Sequence, residues 1–545
     1  MPGPQLRTSY WPADVSQPVL ETTIGGVLAD AAVRAPDVVA LVGADPDPAR
    51  RREWSYGGLF AGAQRAARGL LERFEPGERI AVWAGNCPEW VQLEFAAGLA
   101  GLTIVPVNPA YQADELAHVL AHSSARGIVI AAEYRGRSLP AVLAEVRHGL
   151  PELRHVMALD EWDQLASTNS DCMLPQVDPG SPAQILYTSG TTGRPKAAAL
   201  THRGLTNNAR LDAEAIGMRA GEAFVNPMPM FHVAGCCMMT LGIVQTAGTH
   251  VLMPYFDPGL QLELIESYRS AVFGGVPTML TALLSHPDAS RRDLSCLRYA
   301  ISGGAPVPAD LVARVEEMLG IPFLITFAQT EASCSITLTR PGDAPGDRRQ
   351  SVGRPLPQTE VKIAVPGTGQ TAPIGAIGEI CTRGYHVMTG YLGDPMATAS
   401  AIDEDGWLHT GDLGAMNERG YCRVEGRLKD MIIRGGENIY PREIEAVLLS
   451  HPRVAEVAVV GVADWFWGEV VGAVIRPLPE HAPPAEAELG ALCRDRLASF
   501  KIPVRWLFLD SLPLTATGKI CKDQLSEQLA ERPAVIGVEA SRPGG

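Results

Sequence analysis

Short apolar runs alternate with amphipathic stretches along much of the chain. The runs RIAVW, TIVPV and GIVIA, all between residues 79 and 131, are rich in β-branched residues, and the segments between them have apolar residues at helical spacing. Strands that alternate with helices in this way predict an α/β fold with mostly parallel, helix-covered sheets. The same rhythm returns in FVNPMPMFHV, THVLMP, AVFGGVP and LRYAISGGAPVP, where glycine and proline end the strands.

The pattern changes after residue 355, where EVKIAV, GEICTRG and YCRVEGR predict short strands separated by glycine turns. These strands indicate a small β-rich section that closes the large domain. Beyond Lys429, two helical patterns and three strand patterns predict a compact α+β module. We therefore predict a large N-terminal domain at 1–428, a small C-terminal domain at 429–525 and a flexible tail at 526–545.

Composition narrows the classes of function. A chain of 545 residues is long enough for at least two domains. Its net charge of −15 argues against nucleic-acid binding, because phosphate backbones favour a basic surface. Neither a secretory signal nor an apolar run of about 18 residues is visible, so we expect a cytoplasmic protein without a membrane span. The ten cysteines include no CxxC pair, which favours reduced thiols.

The stretch YTSGTTGRPK, residues 187–196, concentrates small hydrogen-bond donors ahead of Lys196. Its glycines let the backbone approach an oxyanion closely, and its amides, hydroxyls and two cations suit a phosphate group. A plain surface turn is the alternative, since Gly, Ser and Thr are common in loops. A P-loop NTPase is disfavoured, because the GxxxxGK pattern followed by Ser or Thr is absent, and no GxGxxG follows a strand.

YTSGTTGRPK resembles the phosphate loop of the ANL superfamily of adenylate-forming enzymes, which comprises acyl-CoA synthetases, adenylation domains and luciferases. Four further segments resemble this family's motifs and occur in the family's order. They are FAQTE at 327–331, GWLHTGDL at 406–413, GRLKDMIIRGGENIYPREIE at 426–445 and LPLTATGKICK at 512–522. The resemblance extends over residues 20–522 and implies a large AMP-binding domain followed by a small, mobile C-terminal domain.

The resemblance implies a role for each motif in joining a carboxylate to the α-phosphate of ATP. Glu331 would hold Mg²⁺, Thr330 would bond the α-phosphate, and Lys519 would bridge the carboxylate and the α-phosphate. Asp412 would accept the ribose hydroxyls with help from Arg427. The remaining nucleotide-binding candidates are Thr188, Ser189, Gly190, Thr191, Thr192, Gly193, Lys196, Gly304, Ala305, Pro306, Phe327, Ala328 and Gln329.

Members of this family carry out two half-reactions by rotating the small domain. By resemblance, Lys429 is the pivot, since it is the fourth residue of the GRxK pattern. After the rotation Lys519 would leave the site, and Arg434, Gly435 and Gly436 would face the tunnel for the pantetheine arm of the acceptor. A simple turn is the alternative interpretation of the glycine pair.

The stretch PMPMFHVAGCCMM bears on the identity of the acid. Apolar residues follow His232, where amino-acid-activating relatives have an aspartate, so an α-amino acid is disfavoured. His232 would gate or orient the carboxylate, although a structural role is also open. The predicted pocket is lined by 232–237, 302–306 and 327–329, and its apolar character suits an aliphatic or aryl acid. Phe327-Ala328 replaces the family's usual Tyr-Gly, and the added methyl group narrows the predicted pocket.

No carrier-domain pattern follows Lys519, so we expect a separate acceptor. Coenzyme A is the leading candidate, a discrete acyl carrier protein is second, and activation of an oxyacid such as nitrite for diazotisation of an amine is third. A catalytically silent adenylate-binding protein is disfavoured, because Glu331, Asp412, Arg427 and Lys519 are all present. The expected cofactors are ATP, Mg²⁺ and coenzyme A, and the oligomeric state is left as monomer or homodimer.

Overall fold

The computed structural model describes residues 5–166, 171–188, 195–435, 437–479, 482–514 and 520–531. Its first sheet has seven strands, and the runs RIAVW, TIVPV and GIVIA form neighbouring parallel strands at its centre. Antiparallel pairing is confined to the edge that carries the phosphate loop. In spatial order the strands are Gly390–Tyr391, Lys196–Thr201, Pro182–Thr188, Thr103–Pro106, Arg79–Trp83, Gly127–Ile130 and His155–Ala158.

Two further sheets lie side by side and are joined by a parallel bridge between Ala223 and Ser270. Both are parallel where strands alternate with helices and antiparallel at one edge, so the predicted mostly parallel sheets are mixed in detail. The four-stranded sheet contains Ala223–Asn226, Thr249–Leu252, Val39–Gly43 and Arg52–Ser55. The five-stranded sheet contains Val272–Gly274, Tyr299–Gly303, Phe323–Gln329, Cys334–Leu338 and Arg354–Pro355.

The β-rich section forms a separate antiparallel sheet, as the glycine turns predict. Its strands are Tyr10–Trp11, Thr359–Ala364, Gly378–Gly384, Leu408–Met416 and Cys422–Arg427. A two-stranded ribbon, Glu133–Tyr134 with Arg137–Ser138, lies elsewhere in the large domain.

Helices cover the sheets, and one helix is buried on nearly all of its faces. Helix Pro88–Ala100 has ten of its thirteen residues buried, and it packs against helices Ile24–Arg34 and Tyr56–Leu71. A Cβ on Gly98 would lie 2.9 Å from the backbone nitrogen of Gly25, so the close approach of two helices depends on these glycines. The other helices of the large domain are Ala113–Ser123, Leu139–Val146, Trp162–Ala166, His202–Ile216, Gly242–Gln245, Pro258–Tyr268, Pro277–Ser285, Ala309–Leu319, Pro345–Gln350 and Pro395–Ala401.

The C-terminal part contains the α+β module that the sequence predicts. Its sheet comprises Glu437–Ile439, Ile432–Arg434, Gly468–Pro477 and Val454–Asp464, with Arg505–Phe508 paired to Gly468–Pro477. Its helices are Pro441–Leu449, Glu486–Arg494 and Lys522–Ala530. A short 3₁₀ turn, Leu428–Asp430, connects this part to the antiparallel sheet. The domain boundary at 428/429 stays a prediction.

The predicted flexible tail begins too early. Residues 526–530 belong to helix Lys522–Ala530, because Leu525 and Leu529 are completely buried against the sheet of the module. The hydroxyl of Ser526 also donates to the carbonyl oxygen of Gly461 at 2.6 Å. Residues from 532 onward lie outside the described part.

Two expectations from composition can be compared with the structure. In the part of the chain that the structure describes, none of the ten cysteines forms a disulfide bond. Within the described ranges, no helix is both long enough and apolar enough to cross a membrane.

Candidate functional site

The two strands that flank the phosphate loop pair with each other. Thr188 ends one strand and stands opposite Lys196, which begins the next, and the Thr188 hydroxyl donates to the Lys196 carbonyl oxygen at 3.4 Å. The structure therefore brings the described ends of the loop together. Five predicted phosphate-binding residues lie outside the described part of the chain: Ser189, Gly190, Thr191, Thr192 and Gly193.

A tyrosine links the loop to the predicted magnesium ligand. The ammonium nitrogen of Lys196 lies 4.9 Å from the ring centre of Tyr391, and the Tyr391 hydroxyl donates to Glu331 Oε1 at 2.8 Å. Burial and the nearby Glu331 charge raise the pKa of Tyr391, so the hydroxyl remains a donor at neutral pH. Sequence reasoning missed Tyr391, because one tyrosine after a glycine carries no signal in a single sequence.

Glu331 has the character of a magnesium ligand. It is only 6% exposed, in a 3₁₀ turn directly after strand Phe323–Gln329, and Thr330 precedes it in that turn. Among the described residues, Tyr391 bonds one carboxylate oxygen and no hydrogen bond reaches the other. Mg²⁺ in nucleotide sites usually takes one or two protein carboxylates together with phosphate and water oxygens. This buried carboxylate at a strand end fits that requirement.

The two predicted ribose residues form an ion pair. Asp412 and Arg427 stand opposite each other on antiparallel strands, and Arg427 Nε lies 2.7 Å from Asp412 Oδ1. The Asp412 side chain is 8% exposed and the Arg427 side chain is 45% exposed, so the guanidinium covers the carboxylate from the solvent side. The side-chain amide of Gln329 donates to the Thr410 carbonyl oxygen at 3.3 Å. The motifs at 327–331, 406–413 and 426–427 therefore meet in one place.

The nucleotide-binding candidates at 304–306 and 327–329 lie at adjacent strand ends. Strand Tyr299–Gly303 pairs in parallel with Phe323–Gln329, and Gly304, Ala305 and Pro306 follow it as exposed residues. Phe327 is nearly buried, whereas Ala328 is half-buried. Carboxyl ends of parallel strands are the usual place for ligands in α/β sheets.

His232 is exposed in the turn before an unusual helix. Its Nδ1 accepts a hydrogen bond from the Ala234 amide at 3.3 Å, which leaves the proton of a neutral imidazole on Nε2. Segment Ala234–Leu241 that follows is a π-helix, a form that is frequent at functional sites.

Part of the predicted pocket lining is wrong. Cys236 and Cys237 are completely buried, because their thiols bond atoms of the protein core. Met238 is half-buried. Its sulfur is 3.8 Å from the hydroxyl of Ser335, which pairs across the sheet with Ala328.

Gly235 provides a test of how His232 is held. A Cβ at this position would lie 2.2 Å from the Pro229 carbonyl oxygen, and the Gly235 amide donates to the His232 carbonyl oxygen at 2.9 Å. We expect Gly235→Ala to lower the free energy of unfolding by about 1–3 kcal/mol, because the turn must open to admit the methyl group. Thermal unfolding measures this loss. Gly346→Ala is the control, since its Cβ meets open space, and equal stability of both variants would contradict the packing argument.

The described residues of the predicted acceptor side lie in and beside the C-terminal sheet. Lys429 is exposed in the connecting turn, and Gly435 has a φ of +57° that favours glycine. Arg434 is buried in this conformation, with its Nη1 donating to the Phe500 carbonyl oxygen at 2.8 Å, and burial lowers its pKa. Gly436 and Lys519 lie outside the described residues. Leu514 and Ile520, on either side of residues 515–519, pair in an antiparallel bridge.

Two family models match this chain. The family model described as AMP-binding enzyme matches residues 28–392, and the model of the AMP-binding enzyme C-terminal domain matches residues 443–519.

Individual relatives match over nearly the whole chain. YngI of Bacillus subtilis, described as an acyl-CoA synthetase, is 40% identical over 94% of this chain and 98% of its own length. Human ACSF2, a mitochondrial medium-chain acyl-CoA ligase, is 34% identical over 93% of this chain and 87% of its own. The structure of a Mycobacterium tuberculosis fatty acyl CoA synthetase has a TM-score of 0.75 and 30% identity, covering 93% of this chain and 98% of that one.

Proposed function

Because the chain belongs to the AMP-binding enzyme family and is an AMP-forming acyl-CoA synthetase, we propose that its substrate is an apolar carboxylic acid of medium chain length. The observation that carries this proposal is the apolar character of the predicted lining: Phe327 belongs to an apolar core cluster, and Ala328 and Met238 pack against that cluster. An apolar pocket excludes acids that carry a second charged group, because burying that group without a partner costs its solvation by water. The name of the human relative supports a medium chain length.

In this proposal the chain's own residues supply the charge that the reaction needs. The acid carboxylate and the α-phosphate of ATP repel each other, so cations must lie between them. Lys519 bridges the two anions, Lys196 and the loop at 188–193 hold the outer phosphates, and Asp412 with Arg427 holds the ribose. Mg²⁺, held by Glu331, would neutralise phosphate charge. Thr330 bonds the α-phosphate and His232 orients the carboxylate.

Coenzyme A is the acceptor in the second half-reaction, in which the small domain rotates about Lys429 and brings 434–436 to the acceptor. A discrete acyl carrier protein or a nitrite-activating reaction is not favoured, since the relatives are acyl-CoA synthetases. A cytoplasmic location and a monomeric or homodimeric state stay predictions.

Acid-dependent ATP–pyrophosphate exchange tests the proposed substrate. The assay compares acetate, octanoate, palmitate, benzoate and phenylalanine, and a parallel assay measures thioester formation with and without coenzyme A. We expect octanoate to give the highest kcat/KM and phenylalanine to give no exchange, because the site offers apolar contacts and no partner for an ammonium group. Highest activity with benzoate or acetate would contradict the medium-chain assignment. Exchange without thioester would contradict coenzyme A as the acceptor.

A further inference from the structure

Behind the turn that carries Asp412, three side chains form a row of polar contacts. Glu379 Oε1 accepts a hydrogen bond from the Gly411 amide at 3.0 Å, and Glu379 Oε2 lies 2.7 Å from His409 Nδ1. The other ring nitrogen of His409 lies 3.5 Å from a carboxylate oxygen of Asp403. The buried carboxylate of Glu379 therefore contacts both His409 and Gly411, in the segment that leads into Asp412.

The charges in this row favour a protonated histidine. Contacts with Cys381 and Glu379 raise the pKa of His409, and the Glu379 carboxylate 2.7 Å away favours the protonated imidazole. Burial raises the pKa of Cys381, which keeps its thiol neutral. The His409 proton therefore compensates the Glu379 carboxylate. The donor atoms of Glu379, Cys381 and His409 lie within 4.8 Å of one another.

This row occupies a break in the sheet. Glu379 pairs with Leu413 and Cys381 pairs with His409, so the single residue between Glu379 and Cys381 faces three residues, 410–412, on the neighbouring strand. The hydrogen-bond ladder of the sheet leaves some backbone N–H and C=O groups of such a bulge unpaired. Bulges beside active sites often change the direction of a side chain. The Glu379 carboxylate accepts a hydrogen bond from the Gly411 amide, and the Thr410 hydroxyl donates to the Ile380 carbonyl oxygen at 2.7 Å. Side chains thus replace the missing ladder bonds.

We propose that Glu379 and His409 are positioning residues that hold the 410–412 bulge so that Asp412 presents its carboxylate to the ribose of the nucleotide. This inference rests on the ribose role of Asp412 in the proposed function. In this role both residues act through the 410–412 bulge and not through a contact of their own with the nucleotide. Their removal therefore weakens recognition of the ribose hydroxyls and leaves contacts with the phosphates and the base in place.

Binding calorimetry with ATP and with 2′,3′-dideoxy-ATP, without acid or coenzyme A, tests this role. We expect the wild-type protein to bind ATP more tightly than the dideoxy nucleotide, since the dideoxy nucleotide offers Asp412 no hydroxyl. Glu379→Ala is expected to weaken ATP binding about tenfold and dideoxy-ATP binding less than about twofold, because only the ribose contacts are lost. His409→Ala should act in the same direction. His409→Asn should restore part of the loss, because its amide can donate to Glu379.

Glu360→Ala is the matched control. Glu360 lies on the neighbouring strand of the same sheet and binds Arg383 and Tyr10, away from the bulge. Its loss should leave the ratio of the two affinities unchanged. The proposal is overturned by equal weakening of both nucleotides in Glu379→Ala, by the same change in ratio in Glu360→Ala, or by a wild-type protein that does not distinguish the nucleotides. Glu379→Gln retains an oxygen for Gly411 and should lose less of the preference for ATP than Glu379→Ala. If Glu379→Ala fails to fold, His409→Ala replaces it, and the same outcomes apply.

The nucleotide-binding experiment and the test of the proposed function can fail independently of each other. The binding experiment involves no acid and no coenzyme A, so it can fail while acyl-CoA formation is observed. Conversely, an unexpected acid preference leaves the binding ratio as a valid test.

Discussion

Lys519→Ala is expected to lower acid-dependent ATP–pyrophosphate exchange by about 10²–10³-fold or more, while ATP affinity changes by less than about threefold. The reason is that the carboxylate and the α-phosphate must approach each other as anions, and Lys519 is proposed to supply the charge between them only during that step. Exchange rates and calorimetric ATP binding, measured on the same preparation, separate the two effects.

Lys522→Ala is the control for this experiment. Lys522 belongs to the same segment, but its ammonium binds Glu445 at 2.7 Å and the Val459 carbonyl oxygen at 3.1 Å inside the small domain. Lys522→Ala should therefore reduce stability and leave exchange within about threefold for the folded protein, because its ammonium is already bound within the small domain. An unchanged exchange rate in Lys519→Ala would remove Lys519 from its proposed role.

The second half-reaction provides a further check on Lys519. If the small domain rotates as proposed, Lys519 leaves the site before the thiol attacks. Lys519→Ala supplied with preformed acyl-adenylate should then form acyl-CoA at a rate within about threefold of wild type. Equal loss of both half-reactions would contradict the rotation.

Glu331→Gln is expected to reduce exchange by about 10²-fold and to raise the Mg²⁺ concentration for half-maximal activity by about tenfold or more, because an amide is a weaker ligand for a hard cation than a carboxylate. Tyr391→Phe should show a smaller shift in the same direction. It removes the hydroxyl that orients Glu331 and keeps the ring that lies against Lys196.

Calorimetric ATP binding with and without Mg²⁺ gives a second measure of the Glu331 role that does not depend on catalysis. The gain in ATP affinity on adding Mg²⁺ should be large for the wild type, intermediate for Tyr391→Phe and nearly absent for Glu331→Gln. Glu360→Gln serves as the carboxylate control and should behave as the wild type. A full Mg²⁺ gain in Glu331→Gln would place the metal elsewhere.

Patterns along the chain were sufficient to predict most of the fold. The spacing of apolar residues and the glycine turns identified the strands RIAVW, TIVPV and GIVIA. The same signals identified the strand patterns that form Val454–Asp464 and Gly468–Pro477, because both signals are local. The mixed sheets were predicted less well. Antiparallel strands near a sheet edge, such as Lys196–Thr201, look the same in sequence as parallel strands.

The candidate site divides in the same way. Contiguous motifs were enough to name the side chains at the phosphate loop, Glu331, Asp412 and Arg427, since the chemistry and spacing of these residues are local. The contacts between distant segments became visible only in the fold: Tyr391 bonds Glu331, Glu379 bonds His409 and the Gly411 amide, and the thiols of 236–237 lie in the core. These contacts join residues far apart in the chain, and they depend on strand register and on packing between layers, which no local pattern specifies.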